Sequence, residues 1–326
     1  MTGVAGARRV VLAIGASVLL GGCVTRAPLT DAYDGPEALP EPLAAPYEVE
    51  LEPVPVQVTD VVRERRDFVV REILLPGSDG ADGTPPVDEL RFEYYDVDGD
   101  DVTPAIVVLP IANGNMLVSR YFARYFASRG WASLVIDHAR DPMDDVLEDP
   151  ESLIRRNIID YRRVLDWVDR QPEIDSIGVF GLSFGGMAAV MLAALDDRVD
   201  AIVAAMAGGD LPYLLVNTSY RAVARQVHRS LRETGLSRER LKERLDELIR
   251  SDPLVFAPYV DAEDVLLVMT RTDMIVPFET QQRLRDELGE PETLFLPTGH
   301  RTSVFYFPLL RSSAYDFFER QFSASR

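Results

Sequence analysis

The most restrictive feature of this sequence is a series of short apolar runs separated by stretches with a helical pattern. The runs occupy residues 105–109, 132–136, 177–180, 201–205, 265–269 and 294–296. Polar and apolar residues do not alternate within them, which is typical of strands covered on both faces. Between the runs, apolar residues recur at helical spacing, as at Ile154, Ile158, Tyr161, Leu165 and Val168. This alternation predicts an α/β fold with a mostly parallel, doubly covered sheet.

An antiparallel edge is predicted to precede the parallel strands. Residues 68–75 are rich in apolar β-formers, and residues 90–94 alternate as a half-buried strand does. The acidic residues 96–101 that follow slightly resemble a calcium loop. They lack the ligand spacing and the closing Glu of such a loop, so we interpret them as a solvated turn.

One segment interrupts the alternation, at about residues 211–261. Ser219 is predicted to cap a helix that ends at Gly235, and Ser237 is predicted to cap a second helix. The pattern indicates a helical hairpin inserted between two strands. Because the hairpin leaves the sheet at its carboxyl edge, where ligands of α/β folds bind, we expect it to cap the site.

This insertion is basic, although the chain as a whole is acidic. Residues 219–250 contain nine basic and five acidic residues, whereas the chain has 34 basic and 53 acidic residues. Arg221, Arg225 and Arg229 recur every fourth residue and form one helical stripe. A solvated face is the default interpretation, and attraction of anionic substrates or lipid headgroups is the alternative.

The N-terminus carries an export pattern. Arg8 and Arg9 precede an apolar run at residues 10–20, which is too short to span a bilayer. The run ends on Leu20-Gly21-Gly22-Cys23, which resembles the bacterial lipobox. That resemblance implies a signal peptide at residues 1–22 and a lipid on Cys23 after cleavage. An ordinary signal peptide with an incidental cysteine is the alternative.

The same resemblance implies where the protein is found. A lipid on Cys23 makes it an exported protein anchored in the bacterial cell envelope. Because Val24 rather than an Asp follows the cysteine, the resemblance favours the outer membrane. Residues 23–55 are rich in Pro, Ala and Glu and are predicted to form a disordered tether. The folded domain would then occupy residues 56–326.

Composition excludes several classes of function. The formal charge of −19 excludes nucleic acid as an expected partner, because its binders present a basic face. The chain has three histidines and one cysteine, which argues against a disulfide framework, a zinc ribbon or a His-rich metal cluster. No metal or other cofactor is expected, and the oligomeric state is left open.

A candidate nucleophile lies between an apolar run and a helical segment. Gly181-Leu182-Ser183-Phe184-Gly185 follows the run at residues 177–180 directly. A serine on a sharp strand-to-helix turn needs small neighbours, and Gly181 and Gly185 supply them. The pattern predicts that Ser183 is presented above the sheet as a nucleophile. A tight glycine turn with an uninvolved serine is the alternative.

A serine hydroxyl needs a base to accept its proton, and the positions of the three histidines distinguish them. His300 follows the last apolar run and is the predicted general base. His138 is interpreted as a rim or hydrogen-bonding residue, and His228 in the insertion as a surface residue. A carboxylate must then orient the imidazole. Asp273, after the run at residues 265–269, is preferred, and Asp210 is the alternative acid.

These residues resemble the α/β-hydrolase superfamily in kind and in chain order, Ser183 then Asp273 then His300. The resemblance covers residues 56–326 and implies acyl transfer through a covalent acyl-enzyme, with water as the usual acceptor. It also implies an oxyanion hole made of two backbone N–H groups. One would come from Phe184, and the other from Ile111 or Ala112 in a loop that departs from the common His-Gly pattern.

The sequence therefore predicts a serine hydrolase that cleaves small-molecule, lipid or carbohydrate esters. A peptidase or thioesterase of the same fold is an alternative. A non-catalytic envelope lipoprotein that kept the fold as a binding or scaffold module is another. The Ser/Asp/His set argues against this second alternative, because a binding module needs none of the three residues.

Overall fold

A central β-sheet organises the chain. The computed structural model describes residues 23–48, 57–77, 88–97, 102–112, 116–137, 143 and 146–324. Within these residues the sheet has ten strands. They are β1 (Thr25–Ala27), β2 (Gln57–Glu64), β3 (Phe68–Leu75), β4 (Leu90–Val97), β5 (Thr103–Leu109), β6 (Ala132–Asp137), β7 (Ile174–Leu182), β8 (Ala201–Ala205), β9 (Val265–Thr270) and β10 (Glu292–Leu296). Their spatial order is β1-β10-β9-β8-β7-β5-β6-β4-β3-β2.

The strand directions confirm the predicted arrangement of a parallel core with an antiparallel edge. The six strands from β6 to β10 in spatial order are parallel, with β7 between β5 and β8. Strands β4, β3 and β2 add to β6 in antiparallel fashion. The strand β4 is less exposed than its alternation predicts, because Glu93 is buried and pairs with Arg120 at 2.8 Å.

Helices cover both faces of the sheet. They are α1 (Glu41–Ala44), α2 (Met116–Ala127), α3 (Pro150–Val168), α4 (Phe184–Leu195), α5 (Leu211–Asn217), α6 (Arg221–Thr234), α7 (Arg238–Leu248), α8 (Pro253–Phe256), α9 (Phe278–Glu287) and α10 (Phe307–Ala324). One layer of the core contains α2 and α10, and the other contains α3, α4 and α9. Neighbouring residues of β7 enter different layers, Val179 one and Phe180 the other. Burial on both sides explains why the central strands read as continuous apolar runs.

The insertion between β8 and β9 contains the predicted hairpin, formed by α6 and α7, together with two short helices. Gly235 ends α6 in the left-handed conformation with a φ of 69°, and the Ser237 side chain accepts from the Arg240 N–H at the start of α7. The prediction for Ser219 is wrong, since α6 begins one residue later, after Tyr220. The Ser219 N–H instead donates to the Met274 carbonyl at 2.8 Å, which ties the insertion to the loop after β9.

The prediction of a disordered tether is wrong for residues 23–48, which we call the N-terminal segment. Its strand β1 pairs with β10 and thereby covers what would be an open sheet edge. The Tyr33 hydroxyl accepts from the Ala262 N–H at 2.9 Å, and the Tyr47 carbonyl accepts from Arg162 at 2.8 Å. A few anchoring side chains suffice to fix a segment whose average composition is typical of linkers. Residues 49–55 and the predicted signal peptide, residues 1–22, lie outside the described residues.

Tyr47 is the deepest anchor of the N-terminal segment. It is 3% exposed, its ring meets Phe256 edge-on with centroids 5.6 Å apart, and its hydroxyl is hydrogen-bonded to Ser251. Burial raises the pKa of this hydroxyl to about 12, so it stays protonated at neutral pH. None of the described helices is long and apolar enough to cross a membrane.

Truncating this anchor tests whether the segment is part of the domain. We expect Tyr47→Ala to lower the free energy of unfolding by about 3 kcal/mol, because it empties a packed aromatic site. Urea denaturation of the full chain carrying Cys23→Ser measures this quantity. Asp34→Ala, which truncates an exposed residue of the same segment, is the matched control and should leave stability unchanged. Equal stability of the two variants would restore the tether interpretation.

Candidate active site

Ser183 occupies a strained turn at the carboxyl end of the central strand β7. The strand ends at Leu182 and α4 begins at Phe184, so a single residue makes the reversal. Ser183 has φ 55° and ψ −119°, a conformation that L-residues rarely adopt. The turn holds the Ser183 side chain at the wall of a cavity above the sheet. This is the geometry that the Gly-x-Ser-x-Gly pattern predicts.

The two flanking glycines are required by close backbone approaches. A Cβ at Gly181 would overlap with the carbonyl group of Gly185. A Cβ at Gly185 would lie 2.9 Å from the Pro110 carbonyl oxygen, at the end of β5. A side chain at residue 181 would therefore disrupt the turn itself, and a side chain at residue 185 would push the turn away from the end of β5.

Asp273 lies in the loop after β9 and accepts several hydrogen bonds. Its Oδ1 accepts from the N–H groups of Ile275 at 2.8 Å and Val276 at 3.0 Å. Its Oδ2 accepts from the Thr270 hydroxyl at 2.7 Å and is 2.8 Å from His300 Nδ1. Asp273 is 5% exposed, so these donors replace the water that an ionised carboxylate otherwise binds. The loop thus fixes the position and direction of the carboxylate.

The contact with Asp273 sets the proton positions on His300. An ionised carboxylate can only accept, so Nδ1 carries the proton and Nε2 is left as an acceptor. The loop around the ring is held by the Ser303 hydroxyl, which donates to the His300 carbonyl at 2.6 Å. Gly299 allows this loop to approach that of Asp273, since a Cβ there would lie 2.9 Å from the Thr272 carbonyl oxygen.

Two supporting residues were not identified by sequence reasoning, Thr270 and Gln281. Gln281 on α9 is fully buried, accepts from the Thr270 N–H at 3.0 Å and donates to the Val276 carbonyl at 2.8 Å. It therefore ties both ends of the Asp273 loop together. Thr270 could have been noticed as a hydroxyl that ends an apolar run three residues before the acid. No local signal marks Gln281, because its partners come from tertiary contacts.

The alternative acid Asp210 has a different role. Its side chain accepts from the Tyr213 N–H at 3.2 Å as the cap of α5. It also forms ion pairs with Arg283 and, at 3.9 Å, with Lys242. Asp273, not Asp210, is therefore the carboxylate that the structure places on His300.

An apolar cavity of about 480 Å³ is lined by several of the predicted site residues. Its wall includes Ser183, His300 and all three predicted sources of oxyanion donors, Phe184, Ile111 and Ala112. Phe184 is the first residue of α4, where backbone N–H groups have no partner within the helix. Tyr220 and Val223 from the insertion also line the cavity. Residues 113–115 of the neighbouring loop lie outside the described residues.

The remaining predicted residues lie away from the cavity or are not among the residues that the structure describes. His228 is exposed on α6, as expected of a surface residue, and Cys23 is exposed at the start of the N-terminal segment. His138 and residues 98–101 of the acidic turn are not among the described residues. Within the described part of the chain, no three His, Cys, Asp or Glu side chains are grouped so that they could hold a metal ion.

Comparison with solved structures places this fold among esterases and peptidases. An acetyl xylan esterase from Paenibacillus sp. R4 superimposes with a TM-score of 0.66 at 20% identity, over 86% of this chain and 99% of that one. An acetyl xylan esterase from Thermoanaerobacterium gives 0.62 at 18% identity, over 82% and 91% of the two chains. The acylaminoacyl peptidase of Pyrococcus horikoshii gives 0.57 at 17% identity, over 79% and 41%. At these identities the likeness shows the fold, which is that of the α/β-hydrolases.

Comparison of sequences identifies a family as well as a fold. An uncharacterised protein of Mycobacterium tuberculosis is 30% identical over 162 residues, which are 49% of this chain and 36% of that protein. The chain thus matches about a third of that relative's length. The sequence model of the X-Pro dipeptidyl-peptidase (S15) family matches residues 88–252, slightly more than half of the chain. With its hydrolase fold and its elbow within the matched region, the chain belongs to the X-Pro dipeptidyl-peptidase (S15) family.

Proposed function

We propose that this protein is a serine hydrolase that cleaves carboxylic esters through a Ser183–His300–Asp273 triad. The observation that carries the proposal is that His300, hydrogen-bonded to the buried Asp273, lines the same cavity as Ser183. A serine, a histidine with a free Nε2 and a buried carboxylate are the three groups that acyl transfer to a hydroxyl needs. A module that only binds would not need a strained serine at this position.

The proposed reaction has two halves. In the first, the Ser183 Oγ forms a bond to the ester carbonyl carbon while His300 Nε2 takes the hydroxyl proton. The tetrahedral intermediate collapses, the alcohol leaves with that proton, and the acyl group remains on Ser183. In the second half, a water molecule gives a proton to His300 and attacks the acyl carbon. The acid then leaves, and the proton returns to Ser183.

Asp273 and backbone N–H groups would stabilise the charges that develop on His300 and on the substrate during these steps. His300 becomes cationic when it holds the extra proton, and the Asp273 carboxylate at 2.8 Å stabilises that form. The negative charge on the substrate oxygen would be held by the Phe184 N–H and by a second N–H from Ile111 or Ala112. The cavity is lined mainly by apolar side chains, which strengthens both interactions by excluding water.

The wall of the cavity favours an ester over a peptide with a free N-terminus. Arg301 is the one charged residue among the described lining residues, and none of these is a carboxylate. A dipeptidyl-peptidase must bind the ammonium group of its substrate, and a buried ammonium group needs a counter-charge. An acyl chain needs only apolar walls, such as those of Met187, Leu214 and Val223.

A peptidase is the second candidate, and the family match favours it. The same triad would cleave an amide, since the acyl-enzyme is the same and only the leaving group differs. Parallel assays with a p-nitrophenyl ester and with an X-Pro p-nitroanilide separate the two. Faster turnover of the ester supports our proposal, and a clear preference for the anilide replaces it with the peptidase.

We also propose that Cys23 carries a lipid that holds the exported protein in the cell envelope. The support is the lipobox-like sequence together with the exposed position of Cys23. Metabolic labelling with a palmitate analogue in a bacterial host would show incorporation into the wild-type chain. Equal labelling of Cys23→Ser would contradict this proposal.

Removing the base is the most direct test of the triad. We expect His300→Ala to lower kcat/KM for a p-nitrophenyl ester by about ten-thousandfold, because Ser183 loses its proton acceptor. His228→Ala removes an exposed histidine and is the matched control, with activity unchanged. A fluorophosphonate probe should label the wild type and not Ser183→Ala. Equal and poor labelling of both would favour the non-catalytic alternative.

The hydrogen bond from the Thr270 hydroxyl to Asp273 can be tested separately. We expect Thr270→Val to lower kcat about fivefold with little change in KM, because a buried hydrogen bond worth about 1 kcal/mol no longer orients the acid. Thr272→Val, an exposed threonine of the same loop, is the control. Unchanged kcat in Thr270→Val would show that Asp273 is held well enough by the Ile275 and Val276 N–H groups.

A further inference from the structure

The edge of the sheet where the parallel strands end, which we call the catalytic edge, exposes large apolar side chains. Leu117 is 69% exposed, Met274 is 70% exposed and Phe305 is 75% exposed. They lie in segments that follow β5, β9 and β10 respectively. Apolar side chains this exposed, on one side of a molecule, indicate a surface that meets an apolar partner.

These three residues are adjacent in sequence to residues that line the cavity. Each is the chain neighbour of a residue that lines it: Leu117 precedes Val118, Met274 precedes Ile275, and Phe305 follows Val304. Val304 is itself half exposed, so the apolar wall continues from the cavity to the surface. A partner that covers the exposed residues would therefore also cover the entrance to the site.

Exposed arginines occur on α6 and in two loops of the same edge. Arg221, Arg225, Arg229 and Arg232 are exposed on α6, and Arg271 and Arg301 are exposed in the loops after β9 and β10. Among the described residues, ion pairs within the insertion involve α7, as between Arg240 and Glu243, and none involves the four α6 arginines. The Ser219 N–H bond to the Met274 carbonyl places the start of α6 beside an exposed apolar residue.

The opposite edge of the sheet, where the parallel strands begin, is acidic around β8 and β9. Asp200 precedes β8, and Asp261, Glu263 and Asp264 precede β9. Burial and these neighbouring carboxylates raise the pKa of Asp264 to about 6. Exposed carboxylates also lie at the catalytic edge, such as Glu148 and Asp149 in the segment after β6, so the cationic part of that edge is α6 together with the loops after β9 and β10.

The N-terminal segment begins at the catalytic edge. Strand β1 is antiparallel to β10, and Thr25 lies opposite Phe295 near the carboxyl end of β10. Cys23 therefore precedes the strand on the side of the catalytic edge. Arg271 donates to the Thr25 hydroxyl at 3.2 Å, which links this start to the loop of Asp273.

We propose that the catalytic edge docks onto an anionic lipid bilayer and turns the mouth of the cavity towards it. Guanidinium groups attract anionic headgroups, and Met274, Phe305 and Leu117 enter the boundary between headgroups and acyl chains. The acidic opposite edge faces away from the bilayer. The second part of the inference rests on the proposed function: the substrates are acyl esters held in that bilayer, whose acyl chains enter the apolar cavity.

Binding is tested with the full chain carrying Cys23→Ser, so that no lipid on the protein contributes. The probes are vesicles of phosphatidylcholine alone and vesicles in which half of the lipid is phosphatidylglycerol. We expect sedimentation with the anionic vesicles that falls as salt is added. R225E/R229E should weaken this binding about tenfold or more. R65E/R66E reverses two exposed cations of the β2–β3 turn at the opposite edge, with the same change in net charge, and should bind as before.

The apolar part is tested with M274S/F305S, which replaces two side chains outside the cavity wall. We expect weaker binding to the anionic vesicles and unchanged turnover of a soluble ester. Absence of vesicle binding, or an equal loss in R65E/R66E, would overturn the proposal. A dimer in solution that dissociates in M274S/F305S, without vesicle binding, would show that a second copy covers this face and would also overturn it.

These experiments distinguish a failure of the docking proposal from a failure of the proposed function. Ser183→Ala should bind vesicles like the parent chain and hydrolyse nothing, whereas M274S/F305S should lose hydrolysis of a vesicle-borne ester only. Soluble-ester turnover without vesicle binding would contradict docking and leave the proposed function intact. Vesicle binding without any ester turnover would contradict the proposed function and leave the docking proposal intact.

Discussion

The hydrogen bond between Asp273 and His300 is the interaction on which the arrangement of the site depends. It joins two loops that follow neighbouring strands, β9 and β10, and it fixes which ring nitrogen faces the cavity. The loop of Asp273 is tied to α9 through Gln281, and the carboxylate is held by two backbone N–H groups and a threonine hydroxyl. The pair is thus supported by the sheet and by its covering helices.

Ser183 is positioned by a different constraint, the crowding at the end of β7. Its positive φ is maintained because Gly181 and Gly185 let the strand, the turn and the end of β5 approach closely. Parallel strands bring these separate loops to one edge, which is why the Asp273–His300 pair and Ser183 lie at the same edge. The exposed apolar and cationic residues lie at that same edge, so one topological property accounts for both the site and the surface around it.

Much of this arrangement could be predicted from local pattern. The continuous apolar runs identified the strands because both faces of the central strands are buried. The short turns that follow two of those runs contain Ser183 and Asp273. Local pattern failed where partners are distant in sequence. Strand β1 looks like linker because its stability comes from β10, far along the chain. Gln281 carries no signal, since its role depends on reaching two ends of another loop.

The central claim is that an acyl group passes through Ser183, and mass spectrometry of the enzyme during turnover tests it most directly. Rapid acid quenching in the presence of a p-nitrophenyl ester should yield a chain heavier by the acyl group. Proteolysis should locate the added mass on the peptide that joins β7 to α4, and Ser183→Ala should show neither the adduct nor turnover. Persistent ester hydrolysis by Ser183→Ala, or an adduct on another residue, would contradict the account.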